Sequence, residues 1–189
     1  MGVDVMTQRA FRSLYWGFLF IMIDFRLQGI DVLPDIIGYA FFAAAFGSLT
    51  AKSDHFAKAT NYNIIMIIVS IFSIYERPAQ GGGINIQPFG FIIGIVALIF
   101  GLLVVYNLFM GIKDMSGQSG RAALPMEAEQ RWKQFLILQL AGYGAILLLI
   151  VPPLALIYII GLLIASIVLT FAFMGFMTRC GEELKDICV

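Results

Sequence analysis

The sequence predicts an all-α integral membrane protein, a polytopic bundle of six transmembrane helices with the N-terminus and the C-terminus in the cytoplasm. Three observations lead to this prediction. The 189 residues are 60% hydrophobic and 13% charged, with a mean hydropathy of +0.92, whereas a typical soluble domain is about 45–50% apolar and about 25% charged. The apolar residues fall into six stretches separated by short polar breaks. The basic residues alternate between the two sides that six crossings define.

The six stretches make up a single transmembrane domain. They cover residues 11–29, 34–51, 62–75, 88–112, 131–151 and 154–178. A span needs about 20 mostly apolar residues to cross about 30 Å of hydrocarbon. Pro88 suits a first helical turn, and Pro152 with Pro153 makes a tight break between the last two spans. Because the first stretch contains Asp24 and Arg26, five spans, with this stretch lying in the interface, is the alternative.

The distribution of Lys and Arg predicts the orientation. If the N-terminus is inside, ten of the 12 basic residues lie on the inner side and only Arg26 and Arg77 lie outside. Basic residues near span ends are held on the cytoplasmic side of a membrane. The inner residues are Arg9, Arg12, Lys52, Lys58, Lys113, Arg121, Arg131, Lys133, Arg179 and Lys185. We therefore expect a multi-pass protein of the cell membrane with both termini in the cytoplasm.

Composition excludes several classes of function. The net charge is zero, so the chain has no electrostatic footprint for nucleic acid. Cys180 and Cys188 form no CxxC motif, and the single histidine, His55, lies in the polar segment 52–60, where we expect a solvated loop residue. These residues supply too few ligands for a metal site, and no GxSxG motif is present. We expect no metal and no cofactor, assign no catalytic residue, and place an enzyme last among the function classes.

Small residues at helical spacing predict which helix faces pack. Lipid gives helices no hydrophobic drive to associate, so spans pack where small side chains let backbones approach. We expect packing faces at Ala40, Ala44 and Gly47 and at Gly90, Gly94, Ala97 and Gly101. Packing within the bundle is favoured, and a dimer interface is the alternative. The polar residues inside the spans, among them Asn63, Ser70, Asn107 and Gln139, are interpreted as interhelical hydrogen-bond partners.

A cluster of charge between the first two spans, on the predicted outer side, is the candidate site. Charge at membrane depth is costly, so such residues face the bundle or a cavity and are paired. The predicted ligand-binding residues are Asp24, Arg26, Gln28, Asp31 and Asp35, with Glu76 and Arg77 at the end of the third span. Their net negative charge favours a cationic ligand. In the alternative interpretation, Arg26 pairs with Asp24 or Asp31 to hold a tight turn, and Asp35 complements the dipole of the second helix.

The run from Trp16 to Phe20, with the run from Asp24 to Tyr39, resembles the opening of uncharacterised small membrane proteins of Gram-positive bacteria. The likeness covers about the first fifty residues and carries no known activity with it. By size and topology the chain is also similar to the substrate-binding membrane subunits of energy-coupling-factor vitamin transporters. Those subunits have six spans, inside termini and an outward site near the first loop. Their first span carries a small-residue motif that this chain lacks.

These observations predict a transporter, or a transporter's binding subunit, for a small polar or cationic solute with an outward-facing polar site. The alternative is a non-transporting membrane module that docks a partner protein or senses the envelope. In that case residues 90–101 or residues 113–131 carry the activity. The expected partners are membrane lipid, the solute, and a partner protein or a second copy of the chain, but not nucleic acid.

Overall fold

The part of the chain that the structure describes is helical apart from one very short ribbon. A computed structural model describes residues 2–22, 26–27, 30–31, 35–73, 88–118, 123–148 and 152–184, with side chains over 5–22, 35–71, 92–117, 123–144 and 153–184. These residues form six α-helices, so the predicted all-α class is confirmed. The helices are α1 Gly2–Met22, α2 Asp35–Leu49, α3 Asp54–Ser73, α4 Pro88–Gln118, α5 Ala123–Leu148 and α6 Pro152–Glu183.

The six helices form a closed ring. Each packs against the next along the chain, and α6 returns to pack against α1. Two contacts fix the closing pair as antiparallel neighbours. At one end Gly181 lies against Phe11, and at the other the Ser166 hydroxyl donates a hydrogen bond to the Met22 carbonyl over 2.9 Å. Because α6 contacts α1 at Phe11 and again at Met22, the two helices lie side by side over the C-terminal half of α1.

The first helix ends earlier than the predicted span of residues 11–29. Helix α1 ends at Met22, and strands β1, Arg26–Leu27, and β2, Ile30–Asp31, pair antiparallel in place of a continued helix. The apolar run stops after residue 23, and Gly29 favours a turn. A two-strand ribbon then satisfies backbone groups that would otherwise be unpaired. Helices α5 and α6 instead extend beyond their predicted spans, because polar helical turns continue past the apolar segments.

Phenylalanines from four helices fill the centre of the ring. Phe18 of α1 contacts Phe42 of α2 and Phe173 of α6 with ring centroids 5.1 Å apart in both pairs, and it stacks on Phe109 of α4 at 5.9 Å. Phe109 and Phe173 meet edge to face at 5.3 Å. All four side chains are fully buried. This phenylalanine cluster joins helices that are not neighbours in the ring.

Glycines bring α1 and α2 close together, but on a different face of α2 from the one predicted. A Cβ added at Gly38 would lie 2.5 Å from Ile21 Cγ1 and 3.0 Å from the Gly17 carbonyl oxygen. Gly17 lies equally close to the Phe42 ring. The predicted packing face of α2 points away from the other helices instead. Its residues, Ala40, Ala44 and Gly47, are exposed, and a Cβ added at Gly47 would meet no atom within 4 Å.

The predicted small-residue face of α4 packs along part of its length. Gly101 is buried against the Tyr39 hydroxyl and Met66, and Ala97 is half-buried against the core. A Cβ at Gly94 would meet no atom within 4 Å, although the Gly94 carbonyl accepts a hydrogen bond from Tyr143. Gly90 belongs to α4, but its surroundings lie outside the described side chains. The expected packing of the small-residue face of α4 is therefore present toward its C-terminal end, at Ala97 and Gly101.

Two helices are long and apolar enough to cross a membrane by length and composition. Within the described residues these are Ile92–Gly117 of α4 and Pro153–Glu183 of α6. In the apolar 18-residue window of the α6 segment, only 11% of the residues are buried inside the chain. Its apolar side chains therefore face outward over most of its length, unlike those of a core helix in a soluble protein.

The close crossing of α1 and α2 predicts opposite effects for two Gly→Ala variants of α2. Gly38→Ala forces its methyl group against Ile21 and a backbone carbonyl, so we expect a loss of about 1–3 kcal/mol. Gly47→Ala enters open space, and we expect a gain of up to about 1 kcal/mol from helix propensity. Thermal unfolding of the two purified variants measures the difference. Equal stability of the two would contradict the close crossing.

Candidate functional site

Most of the predicted site lies outside the described side chains. Arg26 and Asp31 are directly opposite each other in the ribbon of β1 and β2, which agrees with a tight turn in the backbone at this point. Their side chains lie outside the described ones. The predicted site residues that lie wholly outside the described ranges are Asp24, Gln28, Glu76 and Arg77. Asp35 is therefore the predicted ligand-binding residue whose side chain is described.

Asp35 occupies the first turn of α2, where the helix dipole stabilises a carboxylate. Its side chain is partly exposed. Tyr39 lies one turn further along the same face and is buried. The carboxylate thus marks the rim of α2, and the face below it leads into the bundle.

A buried amide lies directly below this rim. The Asn63 side chain on α3 is fully buried, and its Nδ2 donates a hydrogen bond to the Tyr39 carbonyl over 2.8 Å. Only a donor can face that carbonyl, so the orientation of the amide is fixed and Oδ1 points away from it. Among the described residues, the Asn63 Oδ1 has no hydrogen-bond partner. An unpaired buried acceptor costs about 1–3 kcal/mol.

Asp35, Tyr39, Asn63 and Ser70 together form what we call the amide site. Ser70 is buried two turns from Asn63 on the same face of α3. Gly101 of α4 closes the third side of the site, within contact distance of the Tyr39 hydroxyl. The site offers a carboxylate at its rim and an unpaired carbonyl oxygen inside. Both are acceptors, so the arrangement suits a cation or a solute that donates hydrogen bonds.

At the end of the bundle opposite the amide site, contacts between side chains join the start of α3, the end of α4, the start of α5 and the end of α6. We call this end the basic end. The Ser53 hydroxyl donates to the Asp114 carboxylate over 2.6 Å, which joins the start of α3 to the last turns of α4. Lys113 pairs with Glu129 at 2.9 Å and joins α4 to the start of α5. Arg179 pairs with Glu127 and joins the end of α6 to α5.

Each glutamate at the start of α5 is held between two basic side chains. Glu129 lies 2.9 Å from Lys113 and 3.0 Å from Lys133, and hydrogen bonds from both lower its pKa to about 2. Glu127 pairs with Arg131 at 2.9 Å and with Arg179. Partial burial raises the pKa of Glu127, but the hydrogen bonds from Arg179 and Arg131 outweigh it, so the pKa is lowered. Both carboxylates therefore stay ionised at neutral pH.

His55 is not the solvated loop residue that the sequence suggests. It lies in the first turn of α3, partly buried, with Nδ1 2.9 Å from Asn107 Oδ1. Asn107 Nδ2 donates to the Leu103 carbonyl over 2.8 Å, so Oδ1 must face the histidine and Nδ1 must be the donor. The interhelical role expected for Asn107 is thus present. The partners lie 52 positions apart in the chain, so sequence analysis did not indicate this contact.

A wide basin of about 840 Å³ opens at the basic end beside these residues. Its wall carries charges of both signs: Lys52, Lys58 and Lys113 with Asp54 and Asp114. Within the described part of the chain, no group of three His, Cys, Asp or Glu side chains is placed to hold a metal ion. The basin therefore presents a mixed polar surface that suits a charged macromolecular surface better than a single ion.

The lowered pKa of Glu129 predicts a pH dependence of stability. A carboxyl group with a folded pKa of about 2 and an ordinary value of 4.5 stabilises the fold above pH 4.5, and this contribution is lost as the pH falls toward 2. We expect Glu129→Gln to remove part of the decline in thermal stability over that window. Glu182→Gln, at a carboxylate with no ion pair to a described base, is the matched control. A wild-type pH profile in Glu129→Gln would contradict the assignment.

Comparisons with protein-family models, with curated proteins and with solved structures give no match to this chain. Its function is therefore inferred from the chemistry of its own residues: acceptors at the amide site, and charges of both signs at the basic end.

Proposed function

We propose that the chain is a multi-pass protein of the cell membrane whose six helices cross the bilayer. The outward apolar face of α6 supports this most directly. Leu156, Ile157 and Val168 are each more than 60% exposed. A continuous exposed apolar face on this scale is a liability in water, whereas in hydrocarbon it faces a solvent of its own polarity.

The packing of α1 favours six spans over five. A helix lying flat in the interface would touch the bundle near one depth only. Helix α1 instead contacts α6 near its middle, through Phe11, and at its C-terminal end, through Met22, and it places Phe18 in the central cluster. Helix α2, with 15 residues, is about 22 Å long. Its crossing therefore includes the 3-10 turn Thr50–Lys52 at its inner end.

The basic end supports an orientation with both termini in the cytoplasm. Basic side chains near span ends are retained on the inner side. The described residues of this end include Arg9, Arg12, Lys58, Lys133 and Arg179, on four different helices. The amide site then opens toward the outside.

We further propose that the protein binds a small polar or cationic solute from the outside, as a transporter or a transporter's binding subunit. The unpaired Asn63 Oδ1 is the observation that carries this proposal. A buried acceptor without a partner is rare and calls for an explanation, and we infer that a donor group of the solute is its partner. Asp35 at the rim adds a negative charge to attract that donor. The predicted outer residues Asp24, Arg26, Asp31 and Glu76 would complete the entrance.

The phenylalanine cluster closes the path inward from the site. It fills the centre of the ring between the amide site and the basic end. Phe46 and Phe56 extend the aromatic packing further toward the basic end. A ligand site on the outer side of a closely packed inner half is the arrangement expected of a binding subunit, or of a transporter in its outward state.

A partner-docking module is the second candidate, and the basin at the basic end favours it. Lys58 lies on the rim of that basin. A photo-cross-linking amino acid at this position, used in native membranes, distinguishes the candidates. Recovery of one stoichiometric partner protein supports docking, and a lone protein supports the solute-binding proposal.

Solute binding predicts a ligand-dependent thermal shift that depends on the amide site. We expect at least one of tetramethylammonium, choline and putrescine to stabilise the purified protein, by about 2.7 kcal/mol at a hundredfold excess over Kd. Asp35→Asn and Asn63→Leu should each weaken this effect about tenfold, since the first removes the negative charge at the rim and the second removes the buried acceptor. Ser48→Ala, on the exposed side of α2, is the control. An unchanged shift in both site variants would contradict the proposal, as would an unchanged shift after Asp24→Ala with Asp31→Ala.

The orientation predicts which segments an external protease reaches. A protease-cleavable tag at either end of the chain should stay intact in spheroplasts and be cut after permeabilisation. A third tag, inserted between Gly82 and Gly83, should be cut without permeabilisation, because positive-inside topology places that segment outside. Cleavage of a terminal tag from outside would overturn the orientation and the outward site together.

A further inference from the structure

A groove of about 560 Å³ lies between α1 and α6 at the basic end. Arg9, Arg12 and Trp16 line its α1 side, and Thr178 and Glu182 line its α6 side. This groove is separate from the amide site and from the basin at the basic end. It has no role in the function proposed above.

The α1 wall presents two guanidinium groups above an indole ring. Arg9, Arg12 and Trp16 are three and four residues apart, so they form one stripe on the helix. Both arginines are exposed, and neither forms an ion pair with a described carboxylate. Arg131 and Arg179, in contrast, are each paired with Glu127. The charge of Arg9 and Arg12 is therefore available to a ligand.

The groove continues into an exposed apolar track along α6. Thr178, Gly175, Phe171 and Val168 follow one another at helical spacing, and all four are exposed. A Cβ at Gly175 would meet no atom within 4 Å, so the track is open beside the helix. On the opposite wall, Trp16 is 40% exposed. A ligand in the groove thus meets positive charge at one end and apolar surface along the rest.

We propose that this groove binds one anionic phospholipid of the inner leaflet, with its phosphate between Arg9 and Arg12 and an acyl chain along Phe171 and Val168. The proposal rests on the membrane topology and orientation given above. Arg–phosphate contacts are bidentate and strong, and basic pockets between spans on the cytoplasmic side suit anionic headgroups. Trp16 sits where indole rings prefer to lie, at the level of the headgroups.

The charge of the groove also selects among lipids. Two arginines and Glu182 give a net charge of +1, which matches a headgroup with a single negative charge. The Glu182 carboxylate can accept a hydrogen bond from a headgroup hydroxyl. Phosphatidylglycerol has both properties. A free phosphate ion would gain nothing from the apolar walls, so the lipid is the ligand we infer.

Brominated lipids test the proposal, because bromine quenches tryptophan fluorescence at contact distance. The chain has two tryptophans, and Trp132→Phe leaves Trp16 as the reporter in the groove. The full chain is reconstituted in phosphatidylcholine bilayers that contain increasing fractions of brominated phosphatidylglycerol or brominated phosphatidylcholine. We expect the glycerol lipid to quench Trp16 at a much lower mole fraction, with a preference of about fivefold for each arginine.

The variant Arg9→Gln with Arg12→Gln should bring the two quenching curves together, whereas Lys133→Gln at the same end should leave the preference intact. Equal quenching by the two lipids before substitution would overturn the proposal, and so would a preference that survives loss of both arginines. Loss of the preference on addition of inorganic phosphate would assign the groove to the free ion and overturn the proposal as well.

No quenching of Trp16 by either lipid would count against the membrane topology itself. This outcome therefore separates failure of the groove from failure of the proposed function. Equal helicity of all variants by circular dichroism excludes misfolding as the cause.

Discussion

The central contact among Phe18, Phe42, Phe109 and Phe173 holds the ring of helices together. The hydrophobic effect does not drive helices together in hydrocarbon, so the helices of the proposed membrane bundle associate through close packing. Aromatic pairs in edge-to-face geometry supply about 0.5–1.5 kcal/mol each beyond the area they bury. Because the four rings come from α1, α2, α4 and α6, they also set the distances across the ring. The glycines at positions 17 and 38 serve this contact, since they let α1 and α2 approach until Phe42 reaches Phe18.

This cluster divides the molecule into two halves with different chemistry. On one side lies the amide site, where the Asp35 carboxylate stands at the rim and the Asn63 Oδ1 has no hydrogen-bond partner among the described residues. On the other side the glutamates of α5 are each paired twice, and their pKa values are lowered by those pairs. Unpaired acceptors are useful where a ligand is to be bound, whereas fully paired charges fix geometry. In the proposed function, the acceptors bind the solute on one side of the phenylalanine cluster, and the ion pairs fix the helix ends on the other.

The sequence predicted the number, order and approximate positions of the helices, because long apolar runs broken by prolines and charges are strong local signals. It did not predict the packing face of α2. This helix is apolar on all sides, so its small residues, Ala40, Ala44 and Gly47, looked like a contact surface while Gly38 made the contact. The pairing of His55 with Asn107 and of Glu127 with Arg179 joins residues 52 positions apart in each case. No local pattern in the chain marks such pairs.

The candidate site shows the same limit more sharply. Charge at membrane depth marked the segment that leads to Asp35 as unusual, and this prediction needed only the cost of ionisation in hydrocarbon. Asn63 was interpreted as an interhelical hydrogen-bond partner, and its Nδ2 does make such a bond. Nothing in the sequence indicated that the Oδ1 of the same side chain has no hydrogen-bond partner among the described residues. That depends on which carbonyl of α2 lies opposite α3, and so on the approach of α1 and α2 that Gly38 permits. The acceptor in the site is therefore a product of the same close packing that seals the bundle below it.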